Sequence, residues 1–170
     1  ISVGLNMTIF GNLRNHPHWL ETAYQLVEKI FRIADPLIRR IGYKRVDRWM
    51  HLPEKLSKGM LFDCQMCGQC TLHFTGMTCP MTCPKNLRNG PCGGVRSDKT
   101  CEVDPEMICI WVEAYERSTK MKVYGNEIHL IQPPLNQRFA GKSAFINELC
   151  CGDNSAPPAW KPTKGTEILL

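Results

Sequence analysis

Apolar and polar positions follow a helical period in the first part of the chain. The apolar positions recur every three or four residues on one face, at Leu20, Ala23, Tyr24, Val27, Ile30, Phe31, Ala34, Leu37, Ile38 and Ile41. This spacing predicts an amphipathic helix, with Asn15 as its N-cap and Pro17 in its first turn. Asp35-Pro36 is typical of a second helix start, and Gly42 of a stop. We expect this face to pack into the core, with docking against a partner as the alternative.

The residues on either side of this helix are less regular. Residues 1–14 form a partly apolar lead-in without a clear period. A basic run follows the helix and consists of Arg39, Arg40, Lys44, Arg45 and Arg48, with Trp49 beside it. Such a run is usually a solvated face, and the alternative is contact with an acidic partner or a nucleotide phosphate. Residues 53–58 predict another short helix that Gly59 ends.

A helical pattern returns after residue 100. Asp104 is expected to cap a helix over residues 107–118, which places Cys109 near its start. Free N–H groups at that end of a helix stabilise a thiolate. Residues 123–131 predict a short hairpin that turns at Gly125.

The last part of the chain predicts a helix over residues 143–149, followed after Gly152 by an extended arm with Trp160 as an anchor. The fold class we expect is mainly α with a loop-rich cysteine core. Its three segments are an N-terminal helical scaffold and docking segment (1–59), a metal-cluster core (60–120), and a mixed segment with an extended tail (121–170).

Composition places the chain among globular proteins. Hydrophobic residues make up 43% of it, close to the globular average, and its 13 glycines and 12 prolines indicate many loops. The net charge of +5 is too mild to indicate nucleic-acid binding. No apolar run approaches the roughly 18 residues that span a bilayer, and the first residues lack a signal-peptide pattern. We therefore expect a reducing cytoplasm, where clustered cysteines bind metal or do redox chemistry.

Eight of the ten cysteines have the spacing C-x2-C-x2-C-x8-C-x3-C-x8-C-x8-C-x7-C. They are Cys64, Cys67, Cys70, Cys79, Cys83, Cys92, Cys101 and Cys109. A cubane iron–sulfur cluster needs four thiolates; a C-x2-C-x2-C loop supplies three, and a remote cysteine followed by proline supplies the fourth. Cys79-Pro80 and Cys83-Pro84 are of this remote type. Eight cysteines suffice for two [4Fe–4S] clusters, and the spacing does not divide them because ligand sets can cross over.

The residues between the cysteines suit a thiolate-ligated cluster. Glycines there permit close backbone approach and positive φ, and they are Gly68, Gly76, Gly90, Gly93 and Gly94. Basic residues can offset the negative charge of a cluster and raise its potential, and they are Lys85, Arg88, Arg96 and Lys99. The chain carries no nucleotide-binding loop and no recognisable catalytic set, so we expect no catalytic site of its own.

Zinc is the alternative to iron and sulfide. A four-cysteine zinc site favours two C-x2–4-C pairs, which Cys64/Cys67 and Cys79/Cys83 would supply. The other cysteines are then surplus unless a second site exists, so one cluster plus zinc is a further possibility. The adjacent Cys150-Cys151 cannot easily share one metal and are expected to be structural or free thiols.

The cysteine core resembles a known family. CQMCGQC, TGMTCPMTCPKNLRNGPCGGV and CEVDPEMICIWVEAYERS, within about residues 60–120, are similar to the cysteine-rich C-terminal domain of methylenetetrahydrofolate reductase. In bacterial relatives this domain is fused to the reductase barrel or forms a separate small subunit, as in acetogens. The resemblance implies that a TIM-barrel flavoprotein with FMN or FAD interconverts methylene- and methyl-tetrahydrofolate, while the cysteine-rich subunit feeds or drains electrons.

The resemblance therefore implies an electron relay in one-carbon metabolism. The expected partner is the reductase-like flavoprotein, held by the N-terminal helix and the tail, with a further electron donor or acceptor protein beside it. A flavin can take electrons singly from clusters and pass on a hydride equivalent. The alternative is a zinc-stapled assembly module of the same complex without a redox role.

Overall fold

The computed structural model describes residues 16–151 and shows a mainly helical, cysteine-rich fold. Its α-helices are α1 (Pro17–Ile41), α2 (Tyr43–Phe62), α3 (Ile110–Ser118) and α4 (Ala144–Cys151). Short 3-10 helices cover Leu72–Thr75, Pro80–Thr82, Gly125–His129 and Gln137–Phe139. Residues 16–151 contain isolated β-bridges but no β-strand. The predictions for residues 1–14, the Asn15 cap and the tail with Trp160 lie outside the described residues.

The first predicted helix exists, but the predicted restart at Asp35-Pro36 is wrong. Helix α1 continues through Pro36 and ends at Gly42, whose N–H donates to Ile38 O at 2.9 Å. The Asp35 carboxylate does not cap a helix, because it accepts a hydrogen bond from Tyr43 Oη at 2.8 Å and pairs with Arg39. Its contacts tie the end of α1 to the start of α2.

A single helix replaces the predicted basic connection and short helix. Helix α2 runs through both Pro53 and Gly59, so Gly59 is not a stop. The helix ends instead at Phe62, and its cap residue Asp63 has a left-handed φ of 52° and donates its N–H to Gly59 O at 3.1 Å. The basic residues of the run are exposed on the helix surface, as a solvated face requires.

Glu21 explains why the predicted hairpin over residues 123–131 is wrong. Its carboxylate is 2% exposed and accepts hydrogen bonds from the N–H groups of Lys122, Val123 and Tyr124 at 3.0, 2.9 and 2.7 Å. These N–H groups are therefore not available for a strand ladder, and the chain turns into the 3-10 helix Gly125–His129. The same contacts fasten α1 to the segment that follows α3.

Helix α3 begins later than predicted. Asp104 Oδ1 accepts a hydrogen bond from Glu106 N at 3.1 Å and so closes a local turn, while Cys109 is the residue that precedes the first helical turn. Between these points, antiparallel bridges join Val95 to Cys101 and Thr100 to Ile108. Cys109 nevertheless lies at the start of a helix, as the sequence predicted.

The last predicted helix is confirmed as α4, which packs against both N-terminal helices. Ser143 N donates to Asp47 Oδ1 at 2.7 Å, and Ala144 N donates to Glu54 Oε1 at 3.2 Å. Two carboxylates of α2 therefore satisfy N–H groups at the start of α4, where the helix dipole also favours negative charge. These contacts place α4 beside the cysteine loop.

Candidate metal centre

The C-x2-C-x2-C loop starts directly where α2 ends. Its path depends on positive φ angles at Asp63 (52°), Met66 (49°) and Gly68 (76°). At Gly68 a Cβ atom would lie 2.1 Å from Phe139 O, so only glycine fits between the loop and its neighbour. Asn147 Nδ2 donates to Gly68 O at 2.9 Å, which fixes the loop against α4.

The loop is also fastened from the other side. Gly141 N donates to Met66 O at 2.8 Å, and Asn136 N donates to Gln69 Oε1 at 2.6 Å. The buried Arg88 guanidinium donates to Gln69 O at 3.1 Å and to Pro133 O at 2.9 Å. Contacts from three separate parts of the chain therefore hold the cysteine loop in one conformation.

Four of the predicted ligands, Cys64, Cys67, Cys70 and Cys79, line a single cavity. Burial above all, with smaller contributions from the neighbouring Cys70 and Cys67, raises the pKa of Cys64 to about 11. Burial likewise raises the pKa of Cys79 to about 12, with added contributions from Cys64 and Cys70. The raised pKa values keep the Cys64 and Cys79 thiols protonated at neutral pH, so metal binding must release their protons.

Backbone N–H groups point at the sulfurs of this cavity. Met66 N lies 3.4 Å from Cys64 Sγ, and the Leu72 N–H makes a hydrogen bond that lowers the pKa of Cys70 against the larger effect of burial. Cys79 receives such hydrogen bonds from the backbone of Met81 and Gln65. Hydrogen bonds to sulfur are one of the means by which proteins stabilise thiolate-ligated clusters.

Lys58 is a site residue that the sequence analysis missed. Its side chain is 7% exposed, and Nζ lies 2.7 Å from Glu54 Oε1 and 3.8 Å from the centroid of the Phe145 ring. Burial lowers the pKa of Lys58, but Cys70 and Glu54 outweigh it, so the net shift is upward and the ammonium stays charged. The available signal was the Glu-x3-Lys pair that ends six residues before the first cysteine.

The other four predicted ligands do not line this cavity. Cys101 N donates to Met107 O and Cys109 N donates to Lys99 O, both at 2.9 Å, across the bridge of Thr100 and Ile108. Because side chains alternate along paired segments, Cys101 and Cys109 lie on the same side of this bridge. Both are buried, and Cys109 packs with Trp111 and Val95.

Cys83 and Cys92 complete the set of predicted ligands that do not line the first cavity. Cys83 is buried after the 3-10 helix Pro80–Thr82, and its carbonyl accepts from Asn86 N at 2.8 Å. Cys92 is half-buried, with Lys85 Nζ at 4.0 Å from its sulfur. Cys150 is disulfide-bonded. It is therefore not the free thiol that was one of the two expectations for the Cys150-Cys151 pair.

The basic residues expected to offset cluster charge have other contacts. Lys85 pairs with Glu102 as well as approaching Cys92, and Lys99 pairs with Glu116 at 2.6 Å. Arg96 Nη2 donates to Glu102 O at 3.4 Å. The lysines that line the cavity are instead Lys58 of α2 and Lys142.

The donor set fits a thiolate-ligated metal cluster in its chemistry. Four cysteine side chains and the Lys58–Glu54 ion pair line the cavity. The backbone N–H donors and the Lys58 ammonium favour negative charge at its centre. Among residues 16–151, no three His, Cys, Asp or Glu side chains are grouped so that they could hold a single metal ion. His73, the other ligand type between the cysteines, instead lies 2.8 Å from Glu127.

Residues 43–138 match a protein family described as "Methylene-tetrahydrofolate reductase C terminal". The match covers more than half of the chain. The chain belongs to this family. The matched region of the methylene-tetrahydrofolate reductase C-terminal family begins at the first residue of α2 and contains all eight clustered cysteines, whereas α1 and α4 lie outside it. No curated protein and no solved structure matches the chain.

Membership supports the association of this chain with a methylenetetrahydrofolate reductase-type protein, as the sequence resemblance implied. None of the helices within residues 16–151 has the length and apolar character needed to cross a membrane.

Proposed function

We propose that this chain is an iron–sulfur electron-transfer subunit that partners a flavin-dependent methylenetetrahydrofolate reductase-type protein in the cytoplasm. The observation that carries the proposal is the convergence of Cys64, Cys67, Cys70 and Cys79 on one cavity. The family supplies the context, since its description refers to the C-terminal part of that reductase. The flavin belongs to the partner, and this chain contributes no catalytic residue.

In this proposal the four cysteines hold one [4Fe–4S] cluster, which supplies one-electron chemistry when bound. The cavity wall formed by Phe62, Leu72 and Met81 keeps water from the sulfurs. The N–H donors and the ammonium of Lys58 offset the negative charge of the thiolates, and less charge repulsion favours the reduced state.

The remaining cysteines, Cys83, Cys92, Cys101 and Cys109, are proposed to hold a second cluster. The placement of Cys101 and Cys109 on one side of the same bridge supports a shared ligand role. The Lys85 ammonium near Cys92 supplies positive charge there. Two clusters in one small chain allow electrons to move stepwise between the flavoprotein and a further redox protein.

Metal and sulfide analysis of anaerobically purified protein tests this function. About eight irons with matching acid-labile sulfide per chain support two cubanes, and about four support one. Zinc without sulfide would overturn the electron relay and leave an assembly module.

A cysteine variant then separates relay from scaffolding. Cys67→Ala is expected to remove cluster absorbance and electron transfer from the physiological donor, while the flavoprotein still reacts with an artificial dye. Cys150→Ala, outside the eight cysteines, is the matched control and should retain the absorbance. Loss of dye activity in Cys67→Ala would indicate a structural role instead.

A further inference from the structure

The two N-terminal helices leave large apolar side chains in solvent. On α1 these residues are 54–71% exposed and form the α1 stripe, which consists of Trp19, Leu26, Ile30, Ile33 and Leu37. On α2 they are 48–66% exposed and form the α2 stripe, which consists of Trp49, Leu52, Leu56 and Met60. Helical spacing places each set on one face of its helix. Exposed apolar surface of this extent marks an interaction site.

An apolar groove joins the two stripes. Its walls are formed mainly by Leu20, Val27 and Phe31 of α1, Met50 and Leu61 of α2, and Phe145 of α4. Ala23 and Pro53 are exposed and also line the groove. Each lies within one helical turn of a stripe residue, so stripes and groove form one continuous surface.

The α1 stripe has the spacing of a helix–helix seam. When Ala23 is added between its first two members, the stripe has alternating intervals of four and three residues, at Trp19, Ala23, Leu26, Ile30, Ile33 and Leu37. This is the a/d pattern by which one helix packs against another with knobs into holes. The surface therefore fits a helix better than an extended peptide.

The rim of this surface is positively charged. Exposed basic residues without an ion-pair partner among residues 16–151 are Lys29, Arg40, Lys44, Arg45, Arg48 and Lys55. The acidic residues of α1 and α2 already form hydrogen bonds or ion pairs within the chain, and they are Glu21, Glu28, Asp35, Asp47 and Glu54. A second copy of the chain would oppose like charges, whereas an acidic partner would complement them.

The groove and the cysteine cavity share a wall. Glu54, Lys58, Phe62 and Leu72 line both. A side chain seated in the groove is therefore separated from the cysteine cavity by a single layer of residues. Close approach is what electron exchange between two proteins requires.

We propose that this surface receives an amphipathic helix of the reductase subunit, with an apolar face flanked by Asp and Glu. The inference rests on the proposed function, because that function supplies an electron-exchanging partner. It adds the location of the interface and the chemistry of the segment that binds there.

The test measures the affinity of the full-length, metal-loaded chain for the flavin-containing reductase subunit. Ile33→Glu and Leu56→Glu place a charge in each stripe and are expected to weaken binding about thirtyfold or more, as at an interface hot spot. Ile131→Glu is the matched control, since Ile131 is 63% exposed outside the surface, and it should stay within about twofold of wild type. Circular dichroism and iron content show that each variant is folded and loaded.

Charge reversal tests the acidic character of the partner. Arg45→Glu with Arg48→Glu is expected to slow association and to remove most of its dependence on salt, because rim charges steer encounter. Association that stays unchanged in rate and salt dependence would overturn the acidic partner.

The other outcomes each overturn the proposed interface. If Ile33→Glu and Leu56→Glu bind the subunit with wild-type affinity, the partner binds elsewhere on the chain. A normal iron content in these variants would show that the redox centre itself is unaffected. If the chain self-associates and Ile33→Glu and Leu56→Glu abolish this, the occupant of the surface is a second copy of the chain. If the chain binds vesicles of phosphatidylcholine and phosphatidylglycerol and the same two changes abolish this, the occupant is a membrane surface. If Ile33→Glu and Leu56→Glu leave subunit binding unchanged in the full chain and weaken it only after removal of residues 1–15 or 152–170, the chain itself covers the groove.

A reductase subunit that fails to bind the wild-type chain overturns the interface and the partnership together. Iron and sulfide analysis then shows independently whether the metal centre stands.

Discussion

Replacement of Lys58 by Met removes the buried lysine that lines the cysteine cavity while it nearly preserves side-chain length. In the native chain Nζ lies 2.7 Å from Glu54 Oε1, and the two side chains are 7% and 2% exposed. The variant leaves the Glu54 carboxylate buried without its counter-charge. Loss of one partner of such a pair costs about 3–5 kcal/mol.

Two local features reduce this cost. Glu54 Oε1 keeps its hydrogen bond from Ala144 N at 3.2 Å, worth about 1 kcal/mol. A methionine sulfur also packs favourably against an aromatic ring such as that of Phe145, which partly replaces the contact of the Lys58 ammonium 3.8 Å from the ring centroid. We therefore expect Lys58→Met to lower the free energy of unfolding by about 3 kcal/mol. The double variant Lys58→Met/Glu54→Gln removes the unpaired carboxylate and should regain most of that loss.

Urea denaturation followed by far-UV circular dichroism under anaerobic, reducing conditions measures both effects on the metal-free chain. Lys55→Met is the matched control, because Lys55 is an exposed lysine of the same helix, and it should stay within about 0.5 kcal/mol of wild type. The single variant Glu54→Gln is measured as well. If the effects of Lys58→Met and Glu54→Gln on the free energy of unfolding simply add in the double variant, the reasoning about a coupled pair is refuted.

The same variant also affects the metal-loaded protein. Cys70 and Cys64 are the sulfurs that interact electrostatically with Lys58. Loss of its positive charge should therefore lower the midpoint potential of a bound cluster, measured by redox titration with electron paramagnetic resonance. An unchanged potential in Lys58→Met, together with an unchanged potential in Lys55→Met, would contradict an electrostatic role for this residue.

Further changes test how the fold supports this site. Glu21→Gln breaks part of a three-bond carboxylate cap on buried backbone and should cost about 2–3 kcal/mol in urea denaturation, whereas the exposed Glu106→Gln should be neutral. Gly76→Ala places a Cβ 2.3 Å from the backbone of α3 at a φ of +61°, so it should destabilise by about 2 kcal/mol or more, and Gly93→Ala, with nothing within 4 Å, should not. Burial raises the pKa of Cys64 from 9.0 to about 11. A thiol whose pKa is raised on folding stabilises the folded chain at pH values below its unfolded pKa, and this stability is lost as the pH rises through the folded pKa. The free energy of unfolding of the metal-free chain should therefore fall between about pH 9 and about pH 11. A constant free energy of unfolding over this range would contradict the burial argument.

Several local features were predictable because they depend on neighbouring residues alone. The period of apolar positions identifies α1, since a helix repeats every 3.6 residues whatever it packs against. The two-residue spacers of the cysteine loop, with Gly68, predict a tight turn that draws sulfurs together. The same spacing carried the family resemblance, which the match over residues 43–138 confirmed.

The tertiary structure decided which local signals prevail. Pro36 and Pro53 predict helix starts, yet both lie inside continuous helices. The hairpin predicted around Gly125 does not form, because the carboxylate of Glu21, about one hundred residues earlier in the chain, binds the backbone N–H groups there. No window of neighbouring residues contains that interaction.

The assignment of chemistry to particular side chains divides in the same way. The sequence by itself determined that eight cysteines form the candidate ligand set, because spacing within a loop is a local property. Only the tertiary structure decided that Cys64, Cys67, Cys70 and Cys79 share one cavity and that Lys58 lies beside it. Burial and charge at a site depend on segments distant in the chain, and the packing of α2 and α4 around the loop creates both.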